Sequence, residues 1–368
     1  MKIGIVHKGY PEVRNIITPW KFANFKVIKI IDIYKVCDFI YFKILKRTNP
    51  KFHNKLYTLR LGKVDGVHLF NGVWLNASKP WIVTFESVLP RMAESKKEEE
   101  YLIKKLTNKK CKAIVAMSKC NFETQKKFIK ETYPAYSSIL LSKLKQLYPP
   151  QVIPKKISLN NTDKLKLLFV GTDFYRKGGH VALRAFMACF CNNNKVELTI
   201  VSTLKAGYIS DFSLVNDTWV RSKLEEQSNV VWIKGSENNQ VLDLMKTSDV
   251  ILLPTFADTF GYTAIEGMAY GCIPVVSNIR ALPEIVNDSN GYILNATINK
   301  QGNLDKSIAT QVQSDKMINQ LILVFNDIWS KWNSNKLKET KILAQKWVSD
   351  NCNPLEYTTR LQNWMFND

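Results

Sequence analysis

In the second half of the chain, short apolar runs alternate with longer amphipathic stretches. Leu165 to Val170, Val196 to Val201, Val230 to Ile233, Val250 to Leu253 and Ile273 to Val276 read as strands. Val181 to Phe190 and Asn239 to Lys246, lying between them, carry apolar residues at helical spacing. That alternation predicts a doubly wound parallel sheet with right-handed crossovers. The first half repeats the theme less clearly, with strands predicted at Lys2 to Val6, Leu56 to Leu61, Gly66 to Phe70, Trp81 to Phe85 and Lys112 to Met117. Between the halves, Leu147 to Pro154 places three prolines within six positions, which favours an extended linker. With 368 residues and 45% hydrophobic content, the chain exceeds what a single core usually holds. The expected domains are residues 1–150 and 151–353, followed by a closing segment 354–368 whose helix runs from Pro354 to Phe366.

The chemistry concentrates after the run Val250 to Leu253. Asp258 falls in the loop at the carboxyl end of that strand, the edge where open α/β sheets bind ligands. Gly261 lets a ligand approach the backbone, and the helix predicted to begin near Tyr262 directs its N–H groups and positive dipole end outward as an anion site. Glu266 lies about one turn into that helix, within reach of a ligand hydroxyl. Two carboxylates flanking an anion site suggest a phosphorylated, hydroxyl-rich ligand, although a capping acid and a solvated charge would also account for the bare spacing. A second constellation runs from Lys166 to Gly179: a strand, the turn at Gly171-Thr172, the cations Arg176 and Lys177, Gly178, and a helix predicted from near His180. Arg can engage two phosphate oxygens at once and Lys adds a point charge, a combination suited to a diphosphate, although a turn with solvated basic residues accounts for the motif taken alone.

The run Asp258-Thr259-Phe260-Gly261-Tyr262-Thr263-Ala264-Ile265-Glu266-Gly267-Met268-Ala269-Tyr270-Gly271-Cys272-Ile273-Pro274-Val275-Val276 resembles the E-x7-E signature of the family-four retaining glycosyltransferases. Asp258 stands where the first Glu is usual and Gly267 where Ala is usual. Ala281 to Val286 and Asn290 to Leu294 continue the likeness, and Arg176-Lys177-Gly178 is similar to a shorter form of that family's basic glycine loop, with Thr172 where an Arg is usual. The resemblance implies a GT-B fold: two facing Rossmann-like, doubly wound α/β domains with a cleft between them, the last helix returning to the first domain. It also implies a nucleotide-sugar donor held by Gly171, Thr172, Arg176, Lys177, Asp258, Thr259, Phe260, Gly261, Tyr262 and Glu266. Glu266 would take the ribose hydroxyls and Asp258 those of the donor sugar. Gly9, in His7 to Glu12, would face the donor phosphates. Glu86 stands where many relatives carry a donor-contacting His, and Ser118 matches a strand-ending Ser. The expected reaction is retaining transfer of a sugar to a hydroxyl of a glycan or lipid-linked acceptor. No D-x-D triplet is present, so no metal and no cofactor beyond the donor is expected.

Charge is lopsided. Residues 1–150 hold 29 Lys plus Arg against 11 Asp plus Glu, whereas residues 151–368 hold 23 against 21. A basic field of that kind draws anionic partners. Ile16 to Arg47 interleaves seven cations with aromatic and aliphatic residues, which reads as an interfacial element at an anionic membrane surface or as an amphipathic core helix with a wet basic face. Nucleic acid is the weaker partner, because no helix-turn-helix, zinc finger or aromatic RNA-binding signature is present. The rival reading is a catalytically silent GT-B protein that binds membranes or polyanions. Seven cysteines without a C-x-x-C suggest neither a zinc site nor a disulfide framework. His68 reads as a packed strand residue, and His53 and His180 show no partner pattern. The start Met1-Lys2-Ile3-Gly4-Ile5-Val6 reads as a strand and not as a signal peptide, so the expected location is the cytoplasm or its membrane face.

Overall fold

The computed structural model describes residues 1–6, 9–47, 49, 52–59, 62–91, 93–154, 163–207 and 218–367. The chain divides into two compact units, Met1–Pro150 with Cys352–Asp368, and Gln151–Asn351.

In the first unit the strands are β1 (Lys2–Ile5), β2 (Lys26–Lys29), β3 (Lys55–Leu56), β4 (Gly66–Phe70), β5 (Val73–Trp74), β6 (Trp81–Phe85), β7 (Cys111–Ala116) and β8 (Leu144–Gln146). Six of them form a parallel sheet in the order β2-β1-β4-β6-β7-β8, and β3 pairs separately with β5. The chain leaves β1 toward one edge and returns to the other side of it at β4. That places the topological switch between β1 and β4, where ligands of such sheets bind. The helix Pro354–Phe366 belongs to this unit and packs Tyr357, Leu361 and Met365 into a core cluster with Ile3, Ile5, Trp20, Ile82 and Val115.

Two sequence expectations change here. The strand predicted at Leu56 to Leu61 stops at Leu56; Arg60 and Leu61 lie outside the described residues. The Tyr57 backbone bonds elsewhere: its N–H donates to Asp32 at 3.2 Å and its carbonyl accepts from Ile33 N–H at 3.0 Å. Nor is Ile16 to Arg47 a single element. It contains the helical turn Thr18–Phe22, the edge strand β2 and the helix Ile33–Leu45.

The second unit holds β9 (Leu165–Val170), β10 (Val196–Val201), β11 (Val230–Ile233), β12 (Val250–Leu253), β13 (Ile273–Ser277) and β14 (Tyr292–Leu294), all parallel in the order β11-β10-β9-β12-β13-β14. The five strands expected from the apolar runs all form. Their side chains are buried in the central strands, with Leu168, Phe169 and the whole of Val250–Leu253 at or near zero exposure. Here the switch lies between β9 and β12. Among the described residues, no helix is long and apolar enough to cross a membrane.

Candidate functional site

Both glycine loops of the second unit issue from its switch point. The loop after β9 ends at Gly178, where the helix Gly179–Phe190 begins; the loop after β12 ends at Gly261, where Tyr262–Ala269 begins. Each glycine has a left-handed backbone that L residues rarely adopt, φ 79° at Gly178 and 90° at Gly261. A Cβ at Gly178 would also fall 1.9 Å from the Pro254 carbonyl oxygen, so the two loops touch through bare backbone.

Side chains then fasten them. Phe256 N–H donates to the Arg176 carbonyl at 2.9 Å, and the Thr255 hydroxyl donates to the same oxygen at 3.1 Å. The Arg176 guanidinium donates to the Ala257 carbonyl at 2.8 Å and, from Nε and Nη2, to Asp173 at 2.8 and 2.5 Å. Lys177 pairs with Asp258 at 2.5 Å. The other Asp258 oxygen accepts from Phe260 N–H at 3.2 Å and Gly261 N–H at 3.1 Å, the geometry of a capping acid. Burial would raise the Asp258 carboxyl, but the Lys177 ammonium and these two backbone donors hold it below the usual carboxylate range.

Phe260 is fully buried beside the ring of Tyr262, Thr259 and Tyr262 are half-buried, and Glu266 is buried one turn into the helix. Thr172 is exposed. Gly267 packs directly on β12. A Cβ there would meet Ile251 at 2.6 Å, which accounts for glycine where the resembling family carries alanine. Sequence reasoning missed Asp173, although its spacing three residues before Arg176 signals a local ion pair. It also missed Gly207, whose Cβ would lie 2.9 Å from Arg176.

The first unit has its own cavity, about 460 Å³, at its switch point. Glu12, Lys35, Asn71, Glu86 and Arg91 are among its lining residues. Glu86 accepts from Arg91 at 3.1 Å, and its own N–H donates to Asn71 at 3.1 Å. Burial raises the Glu12 carboxyl above its ordinary range, opposed by a backbone bond and Lys35 and reinforced by Glu86. Of the expected loop His7 to Glu12, His7 and Lys8 lie outside the described residues, and Gly9 caps the turn Tyr10–Glu12. His68 is buried: its Nδ1 accepts from Trp20 at 3.0 Å, its Nε2 lies 2.8 Å from the Thr84 hydroxyl, and burial lowers it to about 3. It is a neutral packed residue. His180 is buried between Tyr175 and Phe256, and Ser118 caps the helix Lys119–Thr132. Among the described residues, no group of three His, Cys, Asp or Glu side chains is placed to hold a metal ion.

Comparison with solved structures returns this architecture. WaaG, a glycosyltransferase involved in lipopolysaccharide biosynthesis, superposes with a TM-score of 0.59 over 100% of both chains at 14% identity. HepE of Anabaena in complex with UDP gives 0.59 over 98% of both chains at 13% identity. The fold is therefore that of the GT-B glycosyltransferases. Residues 153–323, within the second unit, match the family model of the glycosyl transferases group 1. An uncharacterized 41.2 kDa protein from the cps region of Klebsiella pneumoniae is 28% identical over 262 residues, 65% of this chain and 67% of that protein. An uncharacterized glycosyltransferase of Methanocaldococcus jannaschii is 30% identical over 138 residues, 37% of this chain and 33% of that protein.

Proposed function

We propose that the chain transfers a sugar, with retention of anomeric configuration, from a nucleotide-sugar donor to a hydroxyl of a glycan or lipid-linked acceptor. The observation that carries this reading is the fastening of the Arg176-Lys177 loop to the Ala257-Asp258 loop at the switch point of the second unit's sheet. It puts two cations and a helix start in the place where α/β sheets receive phosphates. HepE, of the same fold, was solved with UDP and with UDP-glucose, which supports a nucleoside diphosphate as the carrier.

The donor diphosphate draws Lys177 from Asp258 and is neutralised by Lys177 and Arg176, so that fixed positive charge stabilises the departing diphosphate without a metal ion. Asp258, released from Lys177, accepts hydroxyls of the donor sugar, and Glu266 accepts those of the ribose. Attack on the face from which the phosphate leaves gives retention, and no enzyme nucleophile is assigned. Glu12 and Glu86 in the first unit's cavity are acceptors for sugar hydroxyls there.

A panel of sugar nucleotides tested for protection against thermal unfolding checks the reading. A ligand at about 100 times its dissociation constant adds about 2.7 kcal/mol. The expected result is that one nucleotide class protects the wild type, and that the protecting donor is turned over. Protection without turnover, or protection by none, would sink the transfer reading in favour of the catalytically silent GT-B protein.

A further inference from the structure

The helix Ile33–Leu45 is apolar on two faces, and its own unit covers only one. Asp32 caps it, accepting from Tyr34 N–H at 3.1 Å, and Lys46 ends it in a left-handed conformation. Tyr34 and Tyr41 point inward to Phe52, with ring centroids 5.9 and 6.3 Å away. On the opposite face, at helical spacing, Val36, Phe39, Ile40 and Ile44 are 48, 59, 51 and 71% exposed. None of the helix's 13 residues is buried. Single exposed apolar residues are ordinary, but a contiguous helical face of them marks an interaction site. For Ile33–Leu45 the face departs from one of the two expectations for Ile16 to Arg47, the amphipathic core helix with a wet basic face: the helix is not in the core, and what it exposes is mainly apolar.

Charge selects the occupant. Lys43 lies among these residues with its ammonium 5.0 Å over the Phe39 ring, and Lys46 and Arg47 follow the helix. Residues 1–150 carry 29 cations against 11 anions. Pairing with a second copy would bring two such basic surfaces together, whereas an anionic lipid surface complements the charge and takes up the apolar face.

We propose that Ile33–Leu45 is a membrane-docking helix that lies in the headgroup region of an anionic bilayer with Val36, Phe39, Ile40 and Ile44 in the acyl boundary. Lys35, on the same helix, lines the first unit's cavity. Docking therefore brings that cavity to the lipid surface and makes a lipid-borne glycan the acceptor class. Only this last consequence rests on the sugar-transfer reading.

Co-sedimentation of the full chain with vesicles of phosphatidylglycerol and phosphatidylcholine in equal parts, against phosphatidylcholine alone, tests the docking independently of any transfer activity. Binding to the anionic vesicles is expected, weakening as salt shortens the Debye length from ~10 Å at 0.1 M. Phe39→Ser with Ile40→Ser removes exposed side chains only, so the melting temperature should hold while partitioning falls about tenfold or more. Wild-type protein that ignores anionic vesicles at low salt overturns the proposal, as does a double variant that binds equally well. A lipid-free dimer that the double variant converts to monomer, with no vesicle capture, would assign the face to a second copy and equally overturn it.

Discussion

Lys177 and Asp258 meet at 2.5 Å across the two loops that follow β9 and β12, and both side chains are largely withdrawn from solvent, at 19 and 11% exposure. The cation expected to hold phosphate is thus paired, in this structure, with the carboxylate expected to hold sugar. Asp258→Asn relieves Lys177 of its competitor while keeping an acceptor for the Phe260 and Gly261 N–H groups. Binding of the free nucleoside diphosphate should be retained or tightened, and turnover should fall by roughly one to two decades, the worth of a charge-assisted hydrogen bond. Calorimetric titration beside a transfer assay separates the two effects. Weakened diphosphate binding with unchanged turnover would reverse the assignment.

Glu266 is buried on the helix that starts after Gly261, and its assigned partners are the ribose hydroxyls. Glu266→Gln preserves shape and removes charge, so donor KM should rise or kcat/KM fall by about one to two decades in a protein that melts normally. The 2′-deoxy form of the donor should lose the same factor with the wild type and little with the variant. Equal discrimination by both proteins would place Glu266 away from the ribose.

Asp32 gives a pH dependence centred on the helix Ile33–Leu45. Burial raises its carboxyl to about 6, against backbone bonds from Tyr57 and Tyr34 and the nearby Lys35. An unfolded Asp titrates near 3.9, so between roughly pH 4 and 6 the folded state binds more protons and stability falls as pH rises. The carboxyl costs nothing below pH ~4 and on the order of 2 kcal/mol above pH ~6. Asp32→Asn, which retains the acceptor oxygen, should therefore be more stable than wild type at pH 7 and equal to it near pH 4. Urea midpoints at the two pH values check this; a constant difference across the range would remove Asp32 as the cause.

The absence of a Cβ at Gly267 lets the helix Tyr262–Ala269 sit against Ile251. Gly267→Ala restores the residue usual in the resembling family but overpacks this interface, and a loss of about 1–3 kcal/mol in unfolding free energy is expected. An unchanged or raised midpoint would show that the helix shifts without penalty.

The second unit was largely legible because its strands are predominantly apolar and the turns after β9 and β12 carry glycines and charges at fixed spacing. Leu165–Val170 and Val250–Leu253 announce themselves by composition, and Gly178 and Gly261 stand where a positive φ is needed. Pairing across loops was not legible: Arg176 and Ala257 are far apart in sequence, and nothing local to either specifies their bond. In the first unit, β2 carries Lys at both ends and only four residues, so charge concealed an edge strand. The cavity of Glu12, Asn71, Glu86 and Arg91 is assembled by sheet order alone. The helix Ile33–Leu45 was visible as an aromatic and basic stretch, but which side its apolar residues present depends on Phe52.

The most direct test of the central claim is calorimetric titration of uridine, guanosine and adenosine diphosphates into the wild type, Arg176→Gln and Lys177→Gln. At least one diphosphate should bind the wild type, and each variant should weaken it by about tenfold or more, the loss of one charge-assisted contact. Binding of none of the three, or binding that both variants leave untouched, would contradict a diphosphate site between the loops after β9 and β12.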